Sequence, residues 1–284
     1  MLLLTRTSCA GVLIFLLASL ALSQESLAKA YVDGGLSAYR SGRFEESELL
    51  FRRALGESKN VSNEELRFEV AKLSLNGLTL ALRSQRKFAA AEEVARDMIK
   101  LLELNPSDDA GDLGIALNNL GLILREENKV AESEAVHRKA LALRETIKDG
   151  RANVAISMLN LGALFFDQER YSEARVLFIR ASDILNSEVK QATRDKDMDL
   201  LEEYLLSWAT CRQNLAAINI NENRQYSEAL TFVQQAITAR EITQGKDHPD
   251  LIDPLSDYAK VLRKLGRTRE AIAVEARVRK LKAK

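Results

Sequence analysis

The stretch from Leu117 to Leu141, LNNLGLILREENKVAESEAVHRKAL, decides the fold of this chain. A second copy, LNLGALFFDQERYSEARVLFIRA, runs from Leu159 to Ala181. Each copy contains a bulky apolar residue, a small residue three positions later, and a small or apolar residue ten positions later. A unit this short cannot bury its own apolar face, so it must stack on similar neighbours.

The same pattern occurs six times, with spacings of 44, 42, 41, 55 and 42 residues. The bulky apolar position is held by Phe44, Phe88, Val130, Tyr171, Tyr226 and Thr268. The position three residues later is held by Ser47, Ala91, Ser133, Ala174, Ala229 and Ala271, and the position ten residues later by Ala54, Met98, Ala140, Ala181, Ala236 and Val278. Because residues three or four apart share a helix face, these small residues predict where two helices come close together.

Each repeat is therefore predicted to be a pair of antiparallel helices joined by a short polar turn. Turn signals stand before the second helix, as in Arg40-Ser41-Gly42-Arg43 and Leu265-Gly266-Arg267. The fifth copy has an apparent excess of one residue in its turn. Only three prolines and few aromatic residues accompany many strong helix formers, and no alternating pattern indicates strands. The predicted class is all-α.

These motifs resemble the tetratricopeptide repeat, in the longer form typical of kinesin light chains. The resemblance rests on Leu-Asn-Asn-Leu-Gly at 117–121, Tyr-Ser-Glu-Ala at 171–174 and 226–229, and Asp-His-Pro-Asp-Leu at 247–251, and it covers roughly residues 30–282. It implies a right-handed α-solenoid of about six helical hairpins. The hairpins are expected near 27–59, 68–104, 112–147, 153–186, 200–240 and 249–282.

The N-terminal segment has a different character. Arg6 precedes an apolar run from Ala10 to Leu22 with small-residue cleavage patterns after it, which is typical of a secretory signal peptide. We predict a signal over residues 1–23, with cleavage as late as residue 30 as an alternative, and a solenoid domain over 24–284. The mature protein is then periplasmic or secreted; an uncleaved signal anchor in the membrane is the alternative. Asn60-Val61-Ser62 is a sequon that matters only in a eukaryotic secretory route.

The composition offers little for catalysis. Signal cleavage leaves Cys211 as the one cysteine, and the two histidines, His137 and His248, fall in different repeats without metal-ligand spacing. No phosphate-binding loop or nucleophile elbow is present. We therefore expect no metal, no cofactor and no enzyme activity. The 41 acidic and 41 basic residues balance, so no basic surface for nucleic acid is expected.

A protein or peptide is the expected ligand. In the family that the chain resembles, the first helices of the repeats line a groove, and asparagines of the Leu-Asn-Asn-Leu type face it. Here these are Asn76, Asn118, Asn119, Asn160 and Asn214, with Arg83, Arg125 and Arg263 expected near the edge. A carboxamide both donates and accepts hydrogen bonds and so can pair with a peptide backbone. Bonds to a neighbouring helix or to water are the alternative role for the asparagines.

Two further expectations concern the long fourth spacing and the outer surface. The extra residues fall between Ile184 and Leu205, where a charged loop, Asn186 to Asp199, is predicted to enter an extended first helix. Trp208 is expected to fill that irregular junction. As an alternative function, the chain is an architectural subunit of an envelope-associated assembly that uses its convex face and ends.

Overall fold

The computed structural model describes residues 24–105, 110–147 and 150–283. Within these ranges the regular structure is entirely helical, with twelve α-helices and one short 3₁₀ helix, Pro249–Leu251. The α-helices are α1 (24–40), α2 (Phe44–Ser58), α3 (Glu64–Ser84), α4 (Phe88–Leu104), α5 (Ala110–Glu126), α6 (Val130–Glu145), α7 (Arg151–Asp167), α8 (Tyr171–Asp195), α9 (Met198–Asn221), α10 (Tyr226–Gln244), α11 (Ile252–Lys264) and α12 (Thr268–Lys282). The predicted signal peptide, residues 1–23, lies outside the described residues.

The repeat pattern marks the second helix of every pair. Each bulky apolar residue of the pattern is the first residue of an even-numbered helix, from α2 to α12. The small residues three positions later are all fully buried. Two of them, Ser47 and Ser133, also donate hydrogen bonds to the backbone carbonyls of Gly35 and Gly121 on the preceding helix, at 2.9 and 2.7 Å. The predicted helix contacts are therefore confirmed.

The turns within the pairs share one backbone device. Two residues before the second helix, the chain adopts a left-handed conformation at Gly42, Arg86, Asn128, Glu169 and Gly266. In the fifth pair the turn is longer by one residue, and left-handed residues occur at Asn223 and Gln225 instead. The excess predicted there is confirmed. Because of this extra residue, the interior positions of α9 lie one residue further before Tyr226 than in the other pairs. Leu215 and Ala216, both fully buried, occupy them.

The contacts divide the chain into two units, one ending at Val136 and the other beginning at His137. In the N-terminal unit, a cluster of buried residues from α1 to α5 is centred on Phe51. The ring of Phe51 is fully buried and fills the space left by Gly35 on α1 and Gly77 on α3. Glycine is required at residue 77, because an added Cβ would lie 2.2 Å from the ring.

The C-terminal unit repeats this arrangement with other residues. Phe178 is fully buried against Gly162, where an added Cβ would lie 2.8 Å from the ring. Cys211 lies in the neighbouring cluster with Met158 and Leu185. Burial raises the pKa of the Cys211 thiol to about 12, so this cysteine is a small core residue and not a reactive one.

The long fourth spacing is structured differently from the prediction. Residues 186–195, expected to form a charged loop, instead continue α8, and only Lys196 and Asp197 separate α8 from α9. Lys196 is left-handed, and the side chain of Asp197 accepts a hydrogen bond from the amide of Leu200 and so caps α9. The loop prediction was wrong because the polar residues here can form helix, and α8 and α9 support each other by packing. The extended α9 was expected.

None of the helices in the described part of the chain is long and apolar enough to span a membrane.

Candidate functional site

The first helices α3 and α5 lie side by side in the N-terminal unit and share an exposed face. On α3 the face consists of Lys72, Leu73, Asn76, Leu80 and Arg83, which are spaced as one stripe of a helix. On α5 the corresponding stripe is Asp112, Ile115, Asn119, Leu122 and Arg125. We call these ten residues the α3–α5 face. Along both helices it passes from charged to apolar, amide, apolar and cationic side chains.

Two polar contacts join the two stripes. Lys72 Nζ lies 2.7 Å from a carboxylate oxygen of Asp112, and the amide of Asn119 donates a hydrogen bond of 3.1 Å to Asn76 Oδ1. Burial opposes the charge on Lys72, but hydrogen bonds to Asp112 and Glu69 outweigh it and raise the pKa of the lysine. Asn76 and Asn119, both predicted as binding residues, are therefore in contact across one repeat, while each remains half-exposed.

The cationic end of the face carries the predicted Arg83 and Arg125, both half-buried. Arg83 lines a cleft of about 280 Å³ with Arg86, Phe88 and Glu126. It forms no ion pair with any residue that the structure describes. Its guanidinium group is therefore available to a carboxylate outside the chain.

Asn118 occupies a different position from its neighbour Asn119. Its side chain is only 5% exposed and faces the interior of the α5 packing. Adjacent residues of a helix point about 100° apart, and the packing of α5 turns Asn118 inward while Asn119 stays half-exposed. Asn118 is placed among the helix contacts.

In the C-terminal unit the first helices are α7, α9 and α11. Asn160 on α7 and Asn214 on α9 are half-exposed, and the structure places no hydrogen bond between them. Arg263 on α11 is engaged with Glu275 on α12 through two hydrogen bonds of 2.7 and 2.8 Å. These bonds raise the pKa of Arg263. The predicted binding residues of this unit therefore do not form a continuous polar contact like that of Asn76 with Asn119.

Sequence reasoning did not single out Lys72, Asp112 or the apolar members of the α3–α5 face. Leu73 and Ile115 each precede the second helix by fifteen residues, and both are exposed, at 43% and 37%. Two large apolar residues recurring at one repeat position were a signal that could have found them. The contact of Lys72 with Asp112 was less visible, because its two members are not at equivalent repeat positions.

The described residues contain no group of three or more metal-ligating side chains. His137 on α6 is fully buried. His248 caps the 3₁₀ helix by accepting a hydrogen bond from the amide of Asp250.

A family model described as tetratricopeptide repeat matches residues 112–187 and 207–284, more than half of the chain. The chain belongs to the tetratricopeptide repeat family, and its fold is an all-α tetratricopeptide solenoid. No curated protein matches it at a significant level.

Several solved structures share the fold. BtubC (BKLC) from P. vanneervenii is 15% identical, with a TM-score of 0.68 over 84% of this chain and 91% of that one. A putative kinesin light chain with TPR-like repeats from Podosopora anserina is 16% identical, with a TM-score of 0.55 over 74% and 93%. PlcR of Bacillus thuringiensis, solved in complex with the peptide PapR7 and DNA, is 13% identical, with a TM-score of 0.58 over 77% and 71%.

Proposed function

We propose that this protein is a non-enzymatic scaffold that binds a protein or peptide on the exposed faces of its first helices. The observation that carries the proposal is the α3–α5 face, on which amide, apolar and charged side chains are exposed together. Tetratricopeptide repeats typically mediate contacts between proteins, and one structure with the same fold, PlcR, was solved with a peptide bound.

The chemistry of the face suits an extended peptide. The Asn76 and Asn119 amides offer donors and acceptors to a peptide backbone whatever its side chains. Leu73, Leu80 and their partners on α5 can receive apolar side chains of the ligand, since all of them remain accessible. Arg83, at one end, favours a peptide with an acidic residue. Backbone pairing then supplies affinity, while the apolar and cationic positions supply selectivity.

The proposed site of action is outside the cytoplasm, in the periplasm or the exterior. The support is the apolar run from Ala10 to Leu22 with Arg6 before it. The fold also favours the earlier cleavage, near residue 23, because Ala28 on α1 is fully buried in the core cluster. Mass spectrometry of the protein recovered from its native cells would test the cleavage; an intact residue 1 would contradict cleavage and favour the uncleaved signal anchor.

The binding proposal can be tested with an immobilised library of ten-residue peptides. We expect the purified protein to capture a subset of peptides enriched in acidic residues. Asn76→Ala with Asn119→Ala is expected to weaken the selected peptides at least about tenfold, because two backbone contacts are lost. Arg83→Ala should weaken only the acidic ones and reduce the salt dependence of binding.

A matched control separates binding from folding. Asn186→Ala changes the same residue type at an exposed position of α8, a second helix of the C-terminal unit. Equal loss of binding in both variants would contradict the role of this face. An architectural function through the outer surface predicts the opposite pattern, in which stable partners co-purify unchanged with the Asn76 and Asn119 variant.

A further inference from the structure

A row of leucines crosses the first helices of the N-terminal unit. It consists of Leu36 on α1, Leu80 on α3 and Leu122 on α5, each of which stands eight residues before the second helix of its pair. Leu36 is 36% exposed, and the other two are half-buried. We call these three residues the leucine row. Allowing for the extra turn residue of the fifth pair, the last three hairpins carry small or charged residues at this position, namely Ala163, Ala217 and Lys260.

The three helices that carry the leucine row lie side by side. The hydroxyl oxygens of Tyr39 on α1 and Ser84 on α3 are 3.4 Å apart, and Asn119 on α5 donates its hydrogen bond to Asn76 on α3. Because the row uses the same repeat position on each helix, its members are separated by the distance between packed helices, about 8–10 Å. A ligand that crosses these helices therefore meets one leucine about every 8–10 Å.

This spacing distinguishes among the regular conformations of a peptide. A β-strand places side chains on one side at every second residue, about 7 Å apart. An α-helix places residues seven positions apart about 10 Å from each other, but its backbone groups are bonded within the helix. A polyproline II helix has three residues and about 9 Å per turn, and its backbone groups form no internal hydrogen bonds. Of the three, polyproline II alone matches the leucine row and leaves backbone groups free for the asparagines.

The amide of Asn76 also suits a peptide that contains proline. Asn76 Oδ1 accepts the hydrogen bond from Asn119, and the NH2 group of Asn76 forms no hydrogen bond with any residue that the structure describes. That group can donate to a backbone carbonyl of a ligand. Proline removes the N–H groups of a peptide but keeps its carbonyls, so a proline-rich ligand retains the acceptors that Asn76 needs.

The charge beside the leucine row adds a further requirement. Arg83 stands three residues after Leu80 on α3, so the two side chains are neighbours on one side of the helix. Arg83 has no ion-pair partner among the described residues, and a carboxylate of the ligand would supply one. An acidic residue is therefore expected next to an apolar residue of the ligand.

We propose that the leucine row, Asn76 and Arg83 bind a proline-rich peptide in the polyproline II conformation. The peptide carries an apolar residue at every third position, one for each leucine, and an acidic residue beside one of them. This inference rests on the peptide binding proposed above for the α3–α5 face. It names the class of peptide and extends the contact to Leu36 on α1.

Four labelled peptides, each with three leucines and one glutamate, test the conformation by fluorescence anisotropy. The probe has three Leu-Pro-Pro units. The second has three Leu-Pro-Pro-Pro units, which keep the polyproline II conformation but turn successive leucines to different sides. The third alternates leucine with threonine, and the fourth is an alanine-rich helix with leucine at every seventh residue. We expect the probe to bind at least about tenfold more tightly than each of the others, because it alone places all three leucines on the row.

Variants of the leucine row locate the contact. Leu36→Ala is expected to weaken the probe at least about fivefold, because one of three apolar contacts is lost. A shorter peptide with two Leu-Pro-Pro units can use Leu80 and Leu122, so Leu36→Ala should bind it within about twofold of the native protein. That result also shows that the variant is folded. Leu49→Ala is the matched control, since Leu49 is a 50% exposed leucine on α2 outside the row; probe binding should be unchanged.

The outcomes separate this inference from the proposed function. If the Leu/Thr peptide or the helical peptide binds as tightly as the probe, the polyproline II conformation is wrong, while peptide binding stands. Equal binding of the Leu-Pro-Pro-Pro peptide would overturn the three-residue spacing, and equal weakening by Leu36→Ala and Leu49→Ala would overturn the role of the leucine row. Capture of library peptides without binding of the probe would also overturn the inference. If neither the probe nor any library peptide binds, the proposed function fails as well.

Discussion

The two units of the molecule hold consecutive hairpins together at the same repeat position with opposite charges. In the N-terminal unit the fourth residue after the start of a second helix is an acid: Glu48 contacts Lys87 at 2.8 Å, and Glu92 contacts Lys129 at 2.6 Å. In the C-terminal unit that position is Arg175, which contacts Glu222 at 2.7 Å. We call these contacts the inter-hairpin ion pairs. These three hairpin contacts thus use the position with either polarity, although α10 and α12 carry Leu230 and Ile272 there.

The surroundings of the ion pairs also differ. In the N-terminal pairs the acid is 15% exposed but its lysine is 51% or 41% exposed, whereas both members of the C-terminal pair are shielded, Arg175 at 19% and Glu222 at 22%. Arg175 also donates a hydrogen bond of 2.8 Å to the fully buried Asn219. The C-terminal pair thus belongs to a more buried polar network, whose loss leaves more groups without partners.

A second difference lies in the space beside the buried phenylalanine of each unit. Phe51 in the N-terminal unit is confined between two glycines, Gly35 and Gly77, while Phe178 in the C-terminal unit meets one, Gly162. A ring confined on two sides cannot move away from an added methyl group. The N-terminal core is therefore less tolerant of an added methyl group than the C-terminal core.

The largest predicted effect tests this difference in tolerance. We expect Gly77→Ala to lower the free energy of unfolding by about 3 kcal/mol, because its Cβ would meet a ring that has no room to shift. Gly162→Ala should cost about 1 kcal/mol or less, since Phe178 can adjust and alanine favours the helix. Urea denaturation of both variants measures the two values. Equal losses would show that the second glycine does not confine Phe51.

The next prediction compares the inter-hairpin ion pairs. Arg175→Leu is expected to lower the free energy of unfolding by about 2 kcal/mol, because it removes the donor to the buried Asn219 Oδ1 and one of the two cations that contact Glu222. Glu92→Leu should cost only about 1 kcal/mol, since Lys129 remains accessible to water. Hydrogen exchange of the α8 and α4 amides assigns each loss to its unit.

Exchanging the charges of the Arg175–Glu222 ion pair tests whether the C-terminal unit also accepts the N-terminal charge order. Arg175→Glu with Glu222→Arg gives the C-terminal unit the charge order of the N-terminal one. We expect this double variant to be more stable than Arg175→Glu alone by about 1 kcal/mol. No recovery at all would mean that Asn219 fixes the polarity in this unit.

A pH prediction applies to the N-terminal ion pair. The hydrogen bond from Lys129, opposed by burial and helped by Arg96, lowers the pKa of Glu92 to about 2. Because this value is below the ordinary pKa of about 4.3, the pair stabilises the fold fully above that pH and loses its contribution as the pH falls towards 2. The stability difference between the native protein and Glu92→Gln should therefore vanish near pH 2. A difference that stays unchanged from pH 7 down to pH 2 would contradict this prediction.

The smallest predicted effect concerns the left-handed turn residue. Glu169 in the C-terminal unit has a φ of 58°, while the N-terminal unit has Gly42 at the equivalent position, with a φ of 72°. Glu169→Gly is expected to raise the free energy of unfolding by about 0.5 kcal/mol. Gly42→Ala should lower it by about 1 kcal/mol through backbone strain alone, since an added Cβ there has no neighbour within 4 Å. Thermal denaturation measures both, and a loss of stability in Glu169→Gly would contradict the strain argument.

Much of the fold was predictable because it depends on local spacing. The bulky positions of the pattern begin the second helices, the small residues three positions later are buried, and the extra turn residue before Tyr226 is present. Each of these features follows from helical periodicity and turn geometry within one repeat. The same reasoning failed for residues 186–195, where packing between α8 and α9 keeps a polar segment helical.

The candidate site was predictable only in part. Asn76 and Asn119 are on the exposed face, but Asn118, which has the same side chain and adjoins Asn119, is buried. The local sequence does not tell which of two adjacent asparagines is exposed, because their exposure depends on how α5 is rotated against its neighbours. Arg263 likewise has the sequence context of an edge residue, and its contact with Glu275 depends on how α11 and α12 pack.

The amino-acid sequence by itself determined the repeat and the helical hairpin, because two columns of small residues recurring about every 42 residues require paired helices that stack on similar neighbours. Motifs such as Leu-Asn-Asn-Leu-Gly at 117–121 then indicated the family. The tertiary structure alone decided which side chains remain at the surface and which ion pairs join the hairpins. Those outcomes depend on contacts between residues one repeat or more apart. Helical spacing fixes a residue's side of its own helix, and packing fixes what that side meets.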